Sequence, residues 1–117
     1  MSSSWHPLIA EAAFPAEGKL AARIAGWHVL AVRGDDGQIH AVNDRCTHQA
    51  ALLSSGRVRR GAIMCPLHGA RFAIGTGQCL GGAYPDLRVF PLREVEGMLE
   101  VCLPDSLPGP SELPVTA

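Results

Sequence analysis

The sequence predicts an all-β protein, an antiparallel sandwich or barrel of short strands. Three observations predict it. Turn signals recur about every ten residues along most of the chain. No stretch holds an apolar period of about 3.6 residues through three helical turns. Pro85 and Pro91 fall in strand-like surroundings, where proline is tolerated at sheet edges but not in a central ladder.

Taken in order, Trp27 to Val32 is an apolar strand candidate, Gly34-Asp35-Asp36-Gly37 is a turn, and Gln38 to Val42 is the returning strand of a hairpin. Ala50-Ala51-Leu52-Leu53 supports one helical turn and no more. Val58 and Ala62-Ile63-Met64 flank Arg60-Gly61, and Arg71 to Ile74 and Gln78 to Leu80 flank Gly75-Thr76-Gly77. Leu87 to Leu92 and Met98 to Leu103 flank Glu96-Gly97. The stretch from Pro104 to Ala117 holds four of the nine prolines and is expected to run extended over the surface or to be disordered. One domain over residues 1–103, followed by this tail at 104–117, is the expected organisation, since 117 residues bury one core rather than two.

Composition narrows the function. Ten basic and eleven acidic residues leave a formal net charge of −1, which gives no overall electrostatic footprint for nucleic acid or an anionic membrane. No apolar run approaches the ~18 residues of a membrane span. The first residues, Met1-Ser2-Ser3-Ser4-Trp5, lack the charged and apolar regions of a secretion signal, so a cytoplasmic location is expected. Four cysteines are too few for a disulfide scaffold, and cysteine paired with histidine in a reducing compartment points to metal.

Two short motifs carry that chemistry: Cys46-Thr47-His48 and Cys65-Pro66-Leu67-His68, with sixteen residues between His48 and Cys65. Each follows a strand-like run, so two loops at the tips of neighbouring hairpins can converge on one centre. Two thiolates and two imidazoles suit either a zinc site or a [2Fe–2S] cluster. In zinc fingers cysteine follows cysteine and histidine follows histidine. Here each loop contributes one of each, as a two-iron centre needs if each loop is to give one ligand to each iron.

With these motifs the sequence resembles the Rieske family. The resemblance extends through Pro66, Gly69, Phe72, the Gly75-Thr76-Gly77 turn and the Gly81-Gly82-Ala83-Tyr84-Pro85 loop. It implies a Rieske-type antiparallel β-sandwich with a small cluster-binding subdomain of two hairpin loops, at about residues 43–86. It also implies one [2Fe–2S] cluster, with Cys46 and Cys65 on the buried iron and His48 and His68 on the outer one. The Gly81 to Pro85 loop would cover a third side. Rieske proteins of the respiratory and photosynthetic complexes add two cysteines that link the ligand loops, where this chain has Ala51 and Leu67, and a serine and a tyrosine donating to the cluster, where it has Ala70 and Phe72. Fewer donors leave the reduced cluster less stabilised, so a potential toward the low end of about −150 to +300 mV is expected.

The resemblance therefore implies an electron carrier rather than an enzyme. It would take single electrons from a flavin-containing, NAD(P)H-dependent ferredoxin reductase to the terminal oxygenase of an aromatic-ring-hydroxylating dioxygenase system, acting as a monomer. A small subunit of an assimilatory nitrite reductase and a structural zinc module are the alternatives. A terminal oxygenase fails on inventory, because only His6, His28 and His40 remain for a mononuclear iron. Those three histidines read as ordinary strand or terminal residues, and Cys79 and Cys102 as small buried hydrophobes. Trp27, Phe72 and Tyr84 read as packing residues, with cluster shielding open to Tyr84. Arg57, Arg59, Arg60 and Arg71 are by default a solvated face, with docking of an acidic partner as the functional alternative.

Overall fold

The computed structural model describes residues 2–48, 50–67 and 69–114. Ten strands occur among them: β1 (Ser3–Ala10), β2 (Lys19–Ile24), β3 (Trp27–Arg33), β4 (Ile39–Asn43), β5 (Arg57–Arg59), β6 (Ala62–Met64), β7 (Arg71–Ala73), β8 (Val89–Phe90), β9 (Leu92–Val95) and β10 (Met98–Pro104). The described residues contain no α-helix, only single 3₁₀ turns at Glu11–Ala13 and Leu53–Ser55. The second turn lies three residues beyond the position expected from the Ala-Ala-Leu-Leu run, because Asp44 and Lys19 bind its backbone. No helix among the described residues is long and apolar enough to cross a membrane.

The strands form three antiparallel sheets, ordered β1-β10-β9, β2-β3-β4-β8 and β5-β6-β7. The four-stranded sheet is the middle layer. On β3, Trp27, Val29 and Ala31 pack toward the three-stranded sheet of the termini, while Leu30 and Val32 join a cluster with Ile63 and Phe72 of the small sheet. Burial on both faces explains why Val29 to Val32 read as a continuous apolar run rather than an alternation. Trp27 and Phe90 meet edge to face with centroids 5.5 Å apart.

Two-residue turns set the registers. Arg60-Gly61 (φ 53° and 74°) joins Arg59 to its partner Ala62, and Glu96-Gly97 (φ 51° and 82°) joins Val95 to Met98. Paired positive φ values match the right-handed strand twist. Pro85 lies outside the strands, in the loop before β8. Pro91 separates β8 and β9, each an edge strand of a different sheet, so the chain crosses between layers at this residue. Two strands lacked a clear sequence signal. In β1, Pro7 adjoins a register shift between Pro7 and Ile9 at an outer strand, and β2 is alanine-rich. Cys79 is buried and Cys102 half-buried, and both are free thiols.

The tail is tied down through residue 113. Trp27 Nε1–H donates to Ser106 O (3.0 Å), Asn43 Nδ2–H to Glu112 O (2.9 Å) and Arg45 Nε–H to Leu113 O (3.1 Å), while Arg88 pairs with the Glu112 carboxylate. The β5-β6-β7 sheet and its loops are inserted between β4 and β8, which pair through Ala41 with Phe90 and Val42 with Val89. Both ends of the insert are thus anchored in one sheet.

Candidate metal centre

Cys46 leaves β4 through Asp44 and Arg45, and Cys65 immediately follows β6. The two loops close in the same way. The Cys46 amide donates to Ala51 O (2.9 Å) and the Cys65 amide to Ala70 O (2.7 Å), in each case the carbonyl five residues on. Equivalent closure puts each cysteine at the same inner corner and leaves the following residues at the rim. Cys46 and Cys65 are 0% and 2% exposed and belong to one buried cluster with Leu53, Ile63, Phe72, Cys79 and Leu87. Leu67, on the rim of the second loop, is 56% exposed. Gly69, at φ 75°, lets that loop return, its amide reaching Cys65 O at 3.2 Å.

His48 is half-buried, and its ring stacks on Tyr84 with centroids 4.0 Å apart and planes 15° from parallel. Tyr84 reaches it from the third loop, which is fixed at both ends. The Thr47 hydroxyl donates to Pro85 O, and the Asp86 carboxylate accepts the Cys79 amide (2.9 Å). Of the four residues expected to bind metal, Cys46, His48 and Cys65 stand on this one end of the molecule. His68 lies outside the described residues. His6, His28 and His40 lie on β1, β3 and β4 of the base, and the His28 carbonyl accepts the Asp44 amide at 2.9 Å.

Two supporting residues had no signal in the sequence. Asp44 is 2% exposed and accepts the Ser54 amide at 2.8 Å. Lys19, on β2, donates from Nζ to Ser54 O and Gly56 O, both at 2.7 Å. Together they pin the 3₁₀ turn that follows the first loop, so the loop cannot drift from the base. Lys19 meets its acceptors only because the fold brings together positions 35 and 37 residues apart.

The donor set fits a mixed-ligand diiron centre. Two soft thiol donors sit inside an apolar wall of Phe72, Leu53 and Leu87 that keeps water away, and the described imidazole sits outside them toward the surface. A [2Fe–2S] centre with sulfur on one iron and nitrogen on the other asks for this inner-to-outer gradient.

Comparison with known proteins decides the family. The Rieske [2Fe–2S] domain matches residues 4–91. The chain belongs to the Rieske family. It carries one Rieske-type [2Fe–2S] cluster, and it is an electron carrier, not a catalytic subunit. The anthranilate 1,2-dioxygenase ferredoxin subunit of Burkholderia cepacia is 41% identical over 101 residues, covering 85% of this chain and 92% of that one. In the solved complex of reduced oxygenase and oxidized ferredoxin in carbazole 1,9a-dioxygenase, a chain 29% identical matches this Rieske domain with a TM-score of 0.74, covering 83% of this chain and 91% of that one. A Mycobacterium tuberculosis chain described provisionally as the small subunit of an NADH-dependent nitrite reductase is 25% identical, with a TM-score of 0.76 and coverage of 88% and 97%. The expected antiparallel β architecture and mixed-ligand cluster thus hold, and the zinc-module alternative falls to the family assignment.

Proposed function

We propose that Cys46, His48, Cys65 and His68 hold the cluster. We further propose that the protein takes single electrons from an NAD(P)H-dependent flavin reductase to the terminal oxygenase of an aromatic-ring-hydroxylating dioxygenase system. The observation that carries the ligand assignment is the equivalent closure of the two cysteine loops, each followed by a histidine two or three residues on. The 41% identity to a dioxygenase ferredoxin subunit, over 92% of its length, supports the choice of system. On this reading residues 1–103 form one domain whose cluster-binding part is about 43–86, the tail 104–117 follows it, and the protein works in the cytoplasm as a monomer.

When bound, the cluster supplies a site that accepts and releases one electron, at a potential above that of all-cysteine ferredoxins. The chain's own residues do the rest. Cys46 and Cys65 hold the inner side in an apolar pocket. His48 and His68 present imidazole edges at the rim, where a partner can approach. Tyr84 stacks on His48 and limits how far that ring can turn. Phe72, Leu53 and Leu87 exclude water, which limits the reorganisation that accompanies a change of charge. A brief encounter suits such a carrier, so a small interface at this end is expected.

The test is a coupled assay with anaerobically prepared holoprotein. NADH and a flavin reductase should reduce the terminal oxygenase component only when the holoprotein is added. Cys46→Ser or Cys65→Ser should abolish both the visible absorption and the transfer. A second reading, a small subunit of a nitrite reductase, is favoured by the Mycobacterium likeness. Co-purification with a large sirohaem-containing chain, and no transfer to an oxygenase, would establish it instead.

A further inference from the structure

The net charge of −1 conceals a sharp division. Residues 45–85 contain five arginines and no carboxylate, while the rest of the chain holds the other five basic residues and all eleven acidic ones. Over the whole cluster-binding part, residues 43–86, Asp44 and Asp86 reduce this to +3, against −4 for the rest of the chain. Four of the five arginines collect on the outer face of the small sheet. Across β5, β6 and β7 the register puts Val58, Ile63 and Phe72 in one row facing the core, and Arg57, Met64 and Arg71 in the adjacent row facing out. Arg59 stands on the same outer face and Arg60 at the hairpin tip. These four arginines, with Met64 and exposed Leu80, line a shallow groove of about 220 Å³.

Elsewhere, among the described residues, two arginines have a carboxylate partner. Arg88 pairs with Glu112, and Arg93 pairs with Glu100 and lies over Trp5. Among the described residues no carboxylate stands within ion-pair distance of Arg57, Arg59, Arg60 or Arg71. A merely solvated face mixes signs, because like charges side by side repel. Here, among the described residues, the one acid beside the face is Asp35, whose carboxylate approaches Gly61 at the hairpin tip, and the rest of the sheet face has none. Position adds the second point: Met64 is the residue before Cys65, and Arg71 is the residue after Ala70, whose carbonyl closes that ligand loop.

We propose that this arginine face is the docking surface for the redox partner, and that the partner presents a carboxylate-rich patch to it. The assignment rests on the electron-carrier reading above and names the partner chemistry of the same site. An apolar centre of Met64 and Leu80 rimmed by arginine has the composition of a protein interface. A nucleic-acid surface would call for a basic chain and stacking rings, and this chain is acidic overall with no aromatic residue on the face. The uneven charge, +3 over residues 43–86 against −4 elsewhere, also orients the approach: an acidic partner is drawn to the cluster end and repelled from the base. Short-lived contact suits this arrangement, because exposed charge speeds encounter more than it holds the complex.

The test uses the full-length holoprotein, the charge-swapped variant Arg57→Glu/Arg60→Glu and the conservative Arg57→Lys/Arg60→Lys. Reduced protein is oxidised in stopped flow by trianionic tris(oxalato)cobaltate(III) and by tricationic hexaamminecobalt(III), and retention on immobilised poly-L-glutamate is measured in parallel. For the parent, oxidation by the anion should slow about tenfold as salt rises from ~10 to ~300 mM. At low salt the Glu variant should slow the anion by a similar factor, speed the cation and abolish retention on polyglutamate, while the Lys variant behaves as the parent. Rates and retention indifferent to the swap, in a chain that still cycles, would overturn the docking surface and leave the carrier reading standing. A chain that takes up no cluster overturns the carrier reading and this proposal with it. Swap-sensitive binding of a duplex oligonucleotide tighter than that of polyglutamate would reassign the face to nucleic acid.

Discussion

Gly56→Ala is expected to be among the most damaging single-methyl changes in this protein, although its backbone gives no warning of it. Gly56 has φ −84° and ψ −173°, a conformation open to any residue. At such a site glycine to alanine ordinarily stabilises by about 0.4–1 kcal/mol, by restricting the unfolded chain. Here a Cβ would stand 1.8 Å from Met64 O, 3.0 Å from Met64 C and 3.1 Å from Leu53 O. Reaching ordinary contact with Met64 O needs an opening of about 1.5 Å between two backbone segments. Neither segment can yield freely. The Gly56 amide donates to Leu53 O at 2.8 Å and its carbonyl accepts Lys19 Nζ at 2.7 Å. Met64 is paired on both sides, with Arg57 and Arg71, and the next residue is Cys65. Overpacking costs about 1–3 kcal/mol, and straining a neighbouring hydrogen bond adds about 1, so the expected loss is about 3 kcal/mol. For a domain of this size that lowers the melting temperature by about 10–15 °C. The assay is the temperature at which visible cluster absorption is lost at a fixed scan rate, with iron content of the purified variant. Gly37→Ala is the control: its φ is 81° and a Cβ there meets nothing within 4 Å, so only the left-handed backbone penalty of about 1–2 kcal/mol applies. The packing account requires Gly56→Ala to lose more than Gly37→Ala. Full iron content in Gly56→Ala, with a melting temperature above that of Gly37→Ala, would refute it.

Three further outcomes are expected. Asp44→Ala removes the acceptor of the Ser54 amide, at a cost of about 1–3 kcal/mol; it should hasten iron loss to a chelator, and Asp44→Asn, which keeps an acceptor, should restore much of the difference. Tyr84→Ala removes the ring stacked on His48, worth about 0.5–1.5 kcal/mol, so chelator attack should quicken by up to about tenfold, with Tyr84→Phe near the parent. The potential should lie in the lower part of the range of about −150 to +300 mV, and Phe72→Tyr, which adds a hydroxyl within the buried cluster shared with Cys46 and Cys65, should raise it by about 20–65 mV, the one-electron equivalent of a hydrogen bond worth about 0.5–1.5 kcal/mol. Protein-film voltammetry of the pair would read this directly, and an unchanged potential would count against the missing-donor explanation.

The site was legible where chemistry is written locally. Cys46-x-His48 and Cys65-x-x-His68 carry their order and spacing in the chain, and the turns ending at Gly37, Gly61 and Gly97 carry theirs in a glycine that accepts positive φ. Edge placement of the segments about Pro91 followed from a missing N–H. What escaped notice depends on contacts between distant positions. β1 was hidden because Pro7 and its register shift break alternation on an outer strand, and the Ala25-Gly26 turn was hidden because the alanine-rich β2 before it gives little apolar signal. Lys19 and Asp44 acquire their roles only once β2, β4 and the turn at Leu53–Ser55 are side by side. The tail read as extended or disordered from its prolines, yet backbone carbonyls at Ser106, Glu112 and Leu113 accept from Trp27, Asn43 and Arg45, a pattern that composition does not encode.

The most direct check of the central claim is electron paramagnetic resonance of the dithionite-reduced, anaerobically purified protein, alongside its iron and acid-labile sulfide content. Two irons and two sulfides per chain, with the low average g value of a cluster ligated by nitrogen as well as sulfur, is the predicted result. A signal with the higher average g of all-cysteine ligation, or a colourless chain holding neither iron nor sulfide, would contradict it.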